Sequence, residues 1–131
     1  SISQVSGVLV GGNLTMLAAG AGTGFSHPAT DSIVVLEDVG ERPFRLDRVL
    51  TQVIGSGWLG GARRIVRGQV TQCCEPAEIA LLFALRLEPL GLPILYVVQV
   101  GHEPGSRALP LGAPATLDTG QGVLEVDPLG R

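Results

Sequence analysis

Two rhythms of apolar and polar positions run through the chain. Val5 to Val10 is a short apolar run ended by Gly11 and Gly12, and it reads as a strand. Asn13 stands where it can cap a short helix through Leu14, Met16, Leu17 and Ala18, with glycines from Gly20 stopping it. Residues 22–31, GTGFSHPATD, read as loop. Ser32 to Leu36 is the β-branched run of a buried strand, and the polar stretch EDVGERP after it brings Pro43 to a helix start. From there Phe44, Leu46, Val49, Leu50, Val53 and Ile54 recur at helical spacing, with Arg45, Asp47 and Arg48 interleaved and Gly55 and Gly57 closing the pattern. That stripe predicts one helix burying Phe44, Val49, Leu50 and Val53. Ile65 to Val70 is a further strand, and Pro76 opens a second long helix to about Leu87 with Ile79, Leu82, Phe83 and Leu87 on one face. Gly91-Leu92-Pro93 turns the chain into a strand from Ile94 to about Val98. Leu109 to Leu117 and Val123 to Val126 close the chain as a hairpin around residues 118–122.

Strands and helices interleave at the start and strands dominate the end. This predicts an α/β fold, a mixed β/β/α sandwich, with residues 1–131 forming a single domain. Hydrophobic residues make up 45% of the chain and the mean hydropathy is +0.38, too apolar for disorder. No apolar run reaches the length of a membrane span, which needs roughly 18 residues. The N-terminal SISQVSGVLV carries no basic leader or small-residue cleavage site, so no signal peptide is expected. The net charge of −3, with both signs scattered, gives no footprint for nucleic acid. All 9 basic residues are arginine. Cys73 and Cys74 are adjacent and read as small buried hydrophobes rather than a structural staple.

Polar residues interrupt the apolar pattern at three strand ends: Gly11-Gly12-Asn13, Glu37-Asp38 and Gly101-His102-Glu103. Ligands and catalysis gather just past the carboxyl ends of strands in α/β sheets, so these ends are candidates for one shared site. Glu37 directly follows a buried run, and a carboxylate placed there needs a partner. A Glu37–His102 pair satisfies both groups, the carboxylate orienting the imidazole and stabilising its protonated form. His27, in the GFSHPATD loop, reads as a surface residue. A metal site has no support, since there is no HExxH, no paired CxxC and no histidine cluster. GAGTG and GSGWLGG lack the lysine of a phosphate loop. No GxSxG elbow occurs: Ser56 lies at a helix end, and Ser106 lies in a loop-like EPGSR. The chain thus offers a base and its orienter without a nucleophile.

These motifs, in this order, resemble the LD-carboxypeptidase family, which includes the microcin C self-immunity peptidases. GVLVGGNLTML at 7–17 is similar to the family's opening GGNL segment. The block at 33–53, IVVLEDVGERPFRLDRVLTQV, resembles its LED-x-x-E-x-P-[FY]-x-[IVL]-[DE]-R-x-L-x-Q pattern. IVRGQVTQC at 65–73 and GLPILYVVQVGHEPGSRALPLGAPATLD at 91–118 resemble its later strand and its GH…LPLG ending. The resemblance implies the C-terminal domain of a two-domain serine peptidase, with a swivelling-type β/β/α fold. In such enzymes an absent N-terminal domain would carry the nucleophilic serine. It implies triad roles for Glu37 and His102, and makes Asn13, Asp38, Glu41 and Arg48 site-proximal candidates, each equally well read as a capping or salt-bridging residue. The implied reaction hydrolyses an L,D-peptide bond and releases terminal D-alanine from cytoplasmic murein tetrapeptides during peptidoglycan recycling. No metal or organic cofactor is implied. The implied partners are the N-terminal nucleophile domain, the murein peptide and a second copy in a full-length homodimer, with neither nucleic acid nor membrane. Two other readings stay open: an immunity peptidase acting on an acyl-sulfamoyl adenylate, and a non-catalytic binding or oligomerisation module.

Overall fold

A computed structural model describes residues 4–20, 29–39, 42–71, 75–91, 94–95, 111–118 and 123–126. The first strand, β1, runs Gln4–Asn13 and passes directly into α1, Leu14–Gly20. Then follow β2 (Ser32–Val39), α2 (Pro43–Gly55), β3 (Arg64–Thr71), α3 (Pro76–Leu87) with a 3₁₀ turn at Glu88–Leu90, and β4 (Ile94–Leu95). Two short strands, β5 (Pro114–Asp118) and β6 (Val123–Val126), complete the described elements. They form one six-stranded sheet in the order β4-β3-β2-β1-β5-β6. Strands β1 to β4 are mutually parallel, and β5 and β6 add antiparallel at the β1 edge. The mixed α/β architecture is the one the residue pattern predicts.

Three consecutive parallel crossovers step in one direction across the sheet, so their right-handed connections place all three helices on one face. The burial pattern agrees. Val34, Leu36 and Ile65 point into a cluster with Leu14 and Ala18 of α1, Leu46, Val49, Leu50 and Val53 of α2, and Ile79, Phe83 and Leu87 of α3. The alternate residues Leu9, Ile33, Val35 and Val66 bury the other face together with Ala115 and Leu117 of β5. Both faces of β2 are therefore buried, which is why Ile33-Val34-Val35-Leu36 is continuously apolar rather than alternating.

Helix starts follow the prolines. Pro43 and Pro76 each occupy the first turn of a helix, where a missing N–H costs nothing. Asn13 caps α1 as its sequence position suggests: its Oδ1 accepts from the Met16 N–H at 3.0 Å. At the other end of α1, the Gln52 side-chain amide donates to the Ala18 carbonyl at 2.8 Å and fastens α1 to α2. Asp47 and Arg86 clamp α2 to α3 through a bidentate pair at 2.5 and 2.9 Å. That hydrogen bond holds the Asp47 carboxyl below the usual aspartate range and raises Arg86.

One expectation is corrected. Phe44 is 61% exposed, whereas the stripe of α2 predicts it buried. The buried residues Leu46, Val49, Leu50 and Val53 span a narrow arc at about 100° per residue, and Phe44 falls roughly opposite its centre. The sequence stripe merges two faces there.

Candidate catalytic site

The carboxyl ends of β1 and β2 lie side by side. Their register pairs Gly11 with Val35, Gly12 with Leu36 and Asn13 with Glu37. Two of the three polar strand ends are thus neighbours in space. Glu37 is 7% exposed, one of two buried polar residues among those described. By strand alternation it continues the face of Ile33 and Val35, away from the helices.

Backbone geometry explains why glycines precede Asn13. Gly11 and Gly12 have φ of 128° and 134°, a region that side chains rarely adopt. A Cβ on Gly11 would lie 1.9 Å from the Val35 carbonyl oxygen. Only glycine lets β1 approach β2 this closely, two residues before Glu37.

On the far side of β2 the ladder with β3 carries a bulge. Leu36 pairs with Arg67 and Asp38 with Val70, so two residues of β3, Gly68 and Gln69, stand opposite Glu37 alone. Bulges of this kind re-aim side chains and are over-represented beside active sites. Arg67 turns to the helix layer, its guanidinium 5.7 Å from the centre of the buried Phe83 ring. Sequence reasoning passed over both the bulge and Arg67. The one available signal was an arginine breaking the apolar run of Ile65 to Val70.

The other predicted positions divide. Asn13 sits beside Glu37 and spends its side chain on the cap of α1. Asp38 lies next along β2, opposite Val70. Arg48 is exposed on α2, turned away from the stripe that packs on the sheet. Glu41, His102 and His27 lie outside the described residues, as do Cys73, Cys74 and Ser106. The expected approach of His102 to Glu37 therefore also falls outside them.

The described serines gather at the opposite end of the sheet. Ser32 opens β2, five residues from Glu37 along an extended strand, or about 16 Å. Its hydroxyl donates to the Thr30 carbonyl at 3.2 Å. Ser6 and Thr116 share a hydroxyl contact of 3.2 Å on the neighbouring strands β1 and β5. Ser56 caps the end of α2, donating to the Val53 carbonyl at 2.7 Å. A cavity of about 400 Å³ at that same end is lined by Ser6, Asp31, Arg63 and Thr116, with Arg63 and Asp31 paired at 3.6 Å. Among the described residues, none of the three serines stands near Glu37. Among the described residues, no group of His, Cys, Asp and Glu could hold a metal, and no helix is long and apolar enough to cross a membrane.

Comparison with known proteins agrees with this architecture. A carboxypeptidase assigned provisionally in Streptomyces coelicolor is 44% identical over 126 residues, covering 95% of this chain and 40% of that protein. The murein tetrapeptide carboxypeptidase of Pseudomonas aeruginosa is 37% identical over 119 residues, covering 88% of this chain and 39% of that one. Among solved structures, muramoyltetrapeptide carboxypeptidase from Oxalobacter formigenes superposes with a TM-score of 0.79 at 29% identity, over 94% of this chain and 45% of that one. A microcin C7 self-immunity protein shares the fold with a TM-score of 0.84 at 18% identity, over 96% of this chain and 39% of that one. The chain spans about two fifths of the length of the curated relatives it matches. The sequence model of the LD-carboxypeptidase C-terminal domain matches residues 6–117. With most of its length matched in this way, the chain belongs to the LD-carboxypeptidase C-terminal domain family.

Proposed function

We propose that this chain is the part of a serine-type LD-carboxypeptidase that supplies the general base and its orienter, His102 and Glu37. The observation that carries the reading is Glu37 itself, a carboxylate buried at the carboxyl end of β2, beside the glycine-bearing end of β1 and opposite a bulge in β3. A buried carboxylate at a strand end suits the orienting member of a triad, where it holds an imidazole in one tautomer and stabilises the imidazolium. In the proposed reaction a serine hydroxyl from the N-terminal nucleophile domain attacks the carbonyl of the L-configured residue. His102 takes the hydroxyl proton and returns it to the amine of the departing D-alanine. Water, deprotonated by the same histidine, then hydrolyses the acyl-enzyme. The names of the relatives from Pseudomonas aeruginosa and Oxalobacter formigenes support a murein tetrapeptide as substrate. The reading places this reaction in cytoplasmic peptidoglycan recycling. The placement of Ser6, Ser32 and Ser56 at the other end of the sheet supports a nucleophile supplied from outside these residues.

The test follows D-alanine release from a murein tetrapeptide. The chain alone should release none, and addition of the serine-bearing domain should restore turnover. In the active combination, Glu37→Gln should lower kcat by about 10³ to 10⁴, with KM little changed, as for loss of a triad carboxylate. Turnover by the chain alone, or full activity in Glu37→Gln, would overturn the reading.

A further inference from the structure

The amino end of the sheet carries a feature that the proposed chemistry does not use. The cavity of about 400 Å³ there lies within the roughly 300–1,000 Å³ of small-molecule sites. Its floor is a pair of strands: Val8 stands in register with Pro114, and Ser6 with Thr116, across β1 and β5. Val8, 43% exposed, and Pro114 form an apolar patch, and the Ser6 and Thr116 hydroxyls meet at 3.2 Å. Arg63 and Asp31 form a charged wall. Their backbones are fixed, since the Asp31 N–H donates to the Gly61 carbonyl and the Arg63 N–H to the Ser32 carbonyl, each at 2.8 Å. One arm of the guanidinium, Nη1, is anchored on the Ser6 carbonyl at 2.8 Å. The other, Nη2, stands 3.6 Å from the Asp31 carboxylate, longer than a hydrogen bond. An exposed pair of this kind adds little to stability. Among the described residues, both groups therefore keep hydrogen-bonding capacity for a solute.

We infer that this cavity binds a free α-amino acid with a small aliphatic side chain, its carboxylate on Arg63 and its ammonium on Asp31. Charge selects the class of ligand. Arg63 and Asp31 are the two charged residues that line the cavity among those described. A simple anion drawn to Arg63 meets the Asp31 carboxylate, and a simple cation drawn to Asp31 meets the guanidinium. A zwitterion satisfies both. The spacing agrees. The N–Cα and Cα–C bonds of an amino acid hold its ammonium nitrogen and carboxyl carbon about 2.5 Å apart. One amino acid therefore spans a pair separated by 3.6 Å. The contact between Ser6 and Thr116 uses one hydroxyl hydrogen and leaves the other to donate to the ligand carboxylate. Val8 and Pro114 then take the side chain. Neighbouring charges leave this balance intact. Arg64 spends its Nη1 on the Arg63 carbonyl at 2.6 Å, and Glu125 stands opposite Thr116 on β6, beyond the lining residues. The site lies at the end of the sheet away from Glu37 and does not depend on the hydrolase reading.

Titration of the ¹⁵N-labelled chain with L-alanine and, separately, D-alanine tests this by nuclear magnetic resonance. At least one of them should shift the backbone amides of Gly7, Val8, Ala115 and Thr116 saturably in the millimolar range. Acetate and methylamine each carry half of the zwitterion and should bind about tenfold more weakly or worse, as for loss of a charge-assisted hydrogen bond. Asp31→Asn keeps the shape of the side chain, and asparagine also adopts the left-handed backbone of this position, where φ is 58°. It should weaken alanine about tenfold while strengthening acetate, because the repelling carboxylate is gone. Arg63→Gln should abolish alanine binding, with circular dichroism checking that the variant stays folded. Amides unmoved by both forms of alanine into the high millimolar range overturn the inference. So does acetate binding as tightly as alanine, or alanine binding unchanged in Asp31→Asn.

Discussion

Replacing Gly11 by alanine tests how tightly β1 is held against β2 at the candidate site. Two penalties arise. The backbone at φ 128° is one that side chains rarely adopt, and holding a residue in such a region costs about 1 to 3 kcal/mol. The new Cβ also lies 1.9 Å from the Val35 carbonyl oxygen and 2.8 Å from its carbonyl carbon and amide nitrogen. Those atoms are backbone and cannot rotate away, so the two strands must separate, at a cost comparable to overpacking a core, about 1 to 3 kcal/mol. Alanine returns about 0.4 to 1 kcal/mol by restricting the unfolded chain. The net loss for Gly11→Ala is then on the order of 3 kcal/mol. Gly12→Ala is the internal control: its φ is 134°, but nothing lies within 4 Å of the point its Cβ would occupy, so only the conformational penalty remains. Urea unfolding of both variants, analysed by linear extrapolation at constant slope, measures the difference. Gly11→Ala should be less stable than Gly12→Ala by about 1 to 3 kcal/mol. Equal losses, or a larger loss at Gly12, would refute the close approach of β1 to β2 and with it the setting given to Glu37.

Three further outcomes follow from the packing, and a fourth from charge. Phe83→Ala should cost about 3 to 5 kcal/mol in urea unfolding, because Phe83 is fully buried and carries Arg67 over its ring. Phe44→Ala should change stability by no more than about 0.5 kcal/mol. Asn13→Ala should lose about 1 kcal/mol with the cap of α1, and Asn13→Asp should recover most of it. Asp47 has its pKa lowered by Arg86, so its contribution is complete above the ordinary aspartate pKa and is lost as pH falls through the lowered value. The urea midpoint of Asp47→Asn should therefore trail that of the unaltered chain at neutral pH and converge with it in strong acid.

Proline and glycine marked the helix boundaries, but Gly11 and Gly12, read as ending the first strand, lie inside β1, which runs on to Asn13. Pro43 and Pro76 open the two long helices, and Gly55 ends the first. The apolar run of β2 announced a strand buried on both faces, and the sheet with its helix layer and edge hairpin supplies both covers. Phe44 was misplaced for a specific reason. A helix start holds residues that satisfy the periodic pattern by spacing while facing outward, and composition does not separate the two cases. The bulge opposite Glu37 was invisible for a different reason. It is a property of pairing between strands, and nothing within Arg64–Thr71 alone reveals that two of its residues will face one of β2.

The burial of Glu37 was legible because burying a carboxylate is expensive. An isolated charge is rarely placed in a protein interior unless its surroundings repay it, so Glu37 at the end of an apolar strand stands out in the bare sequence. The structure adds how the backbone around it is framed. On one side β1 is drawn close by a glycine whose Cβ could not fit, and on the other the ladder to β3 shifts register by one residue. Asn13, in register with Glu37, ties the same strand end to the first turn of α1, so a shift of that helix would be felt at the carboxylate. The neighbouring strand ends thus frame the backbone on either side of Glu37. The proposed orienting role for Glu37 calls for a backbone held in this way.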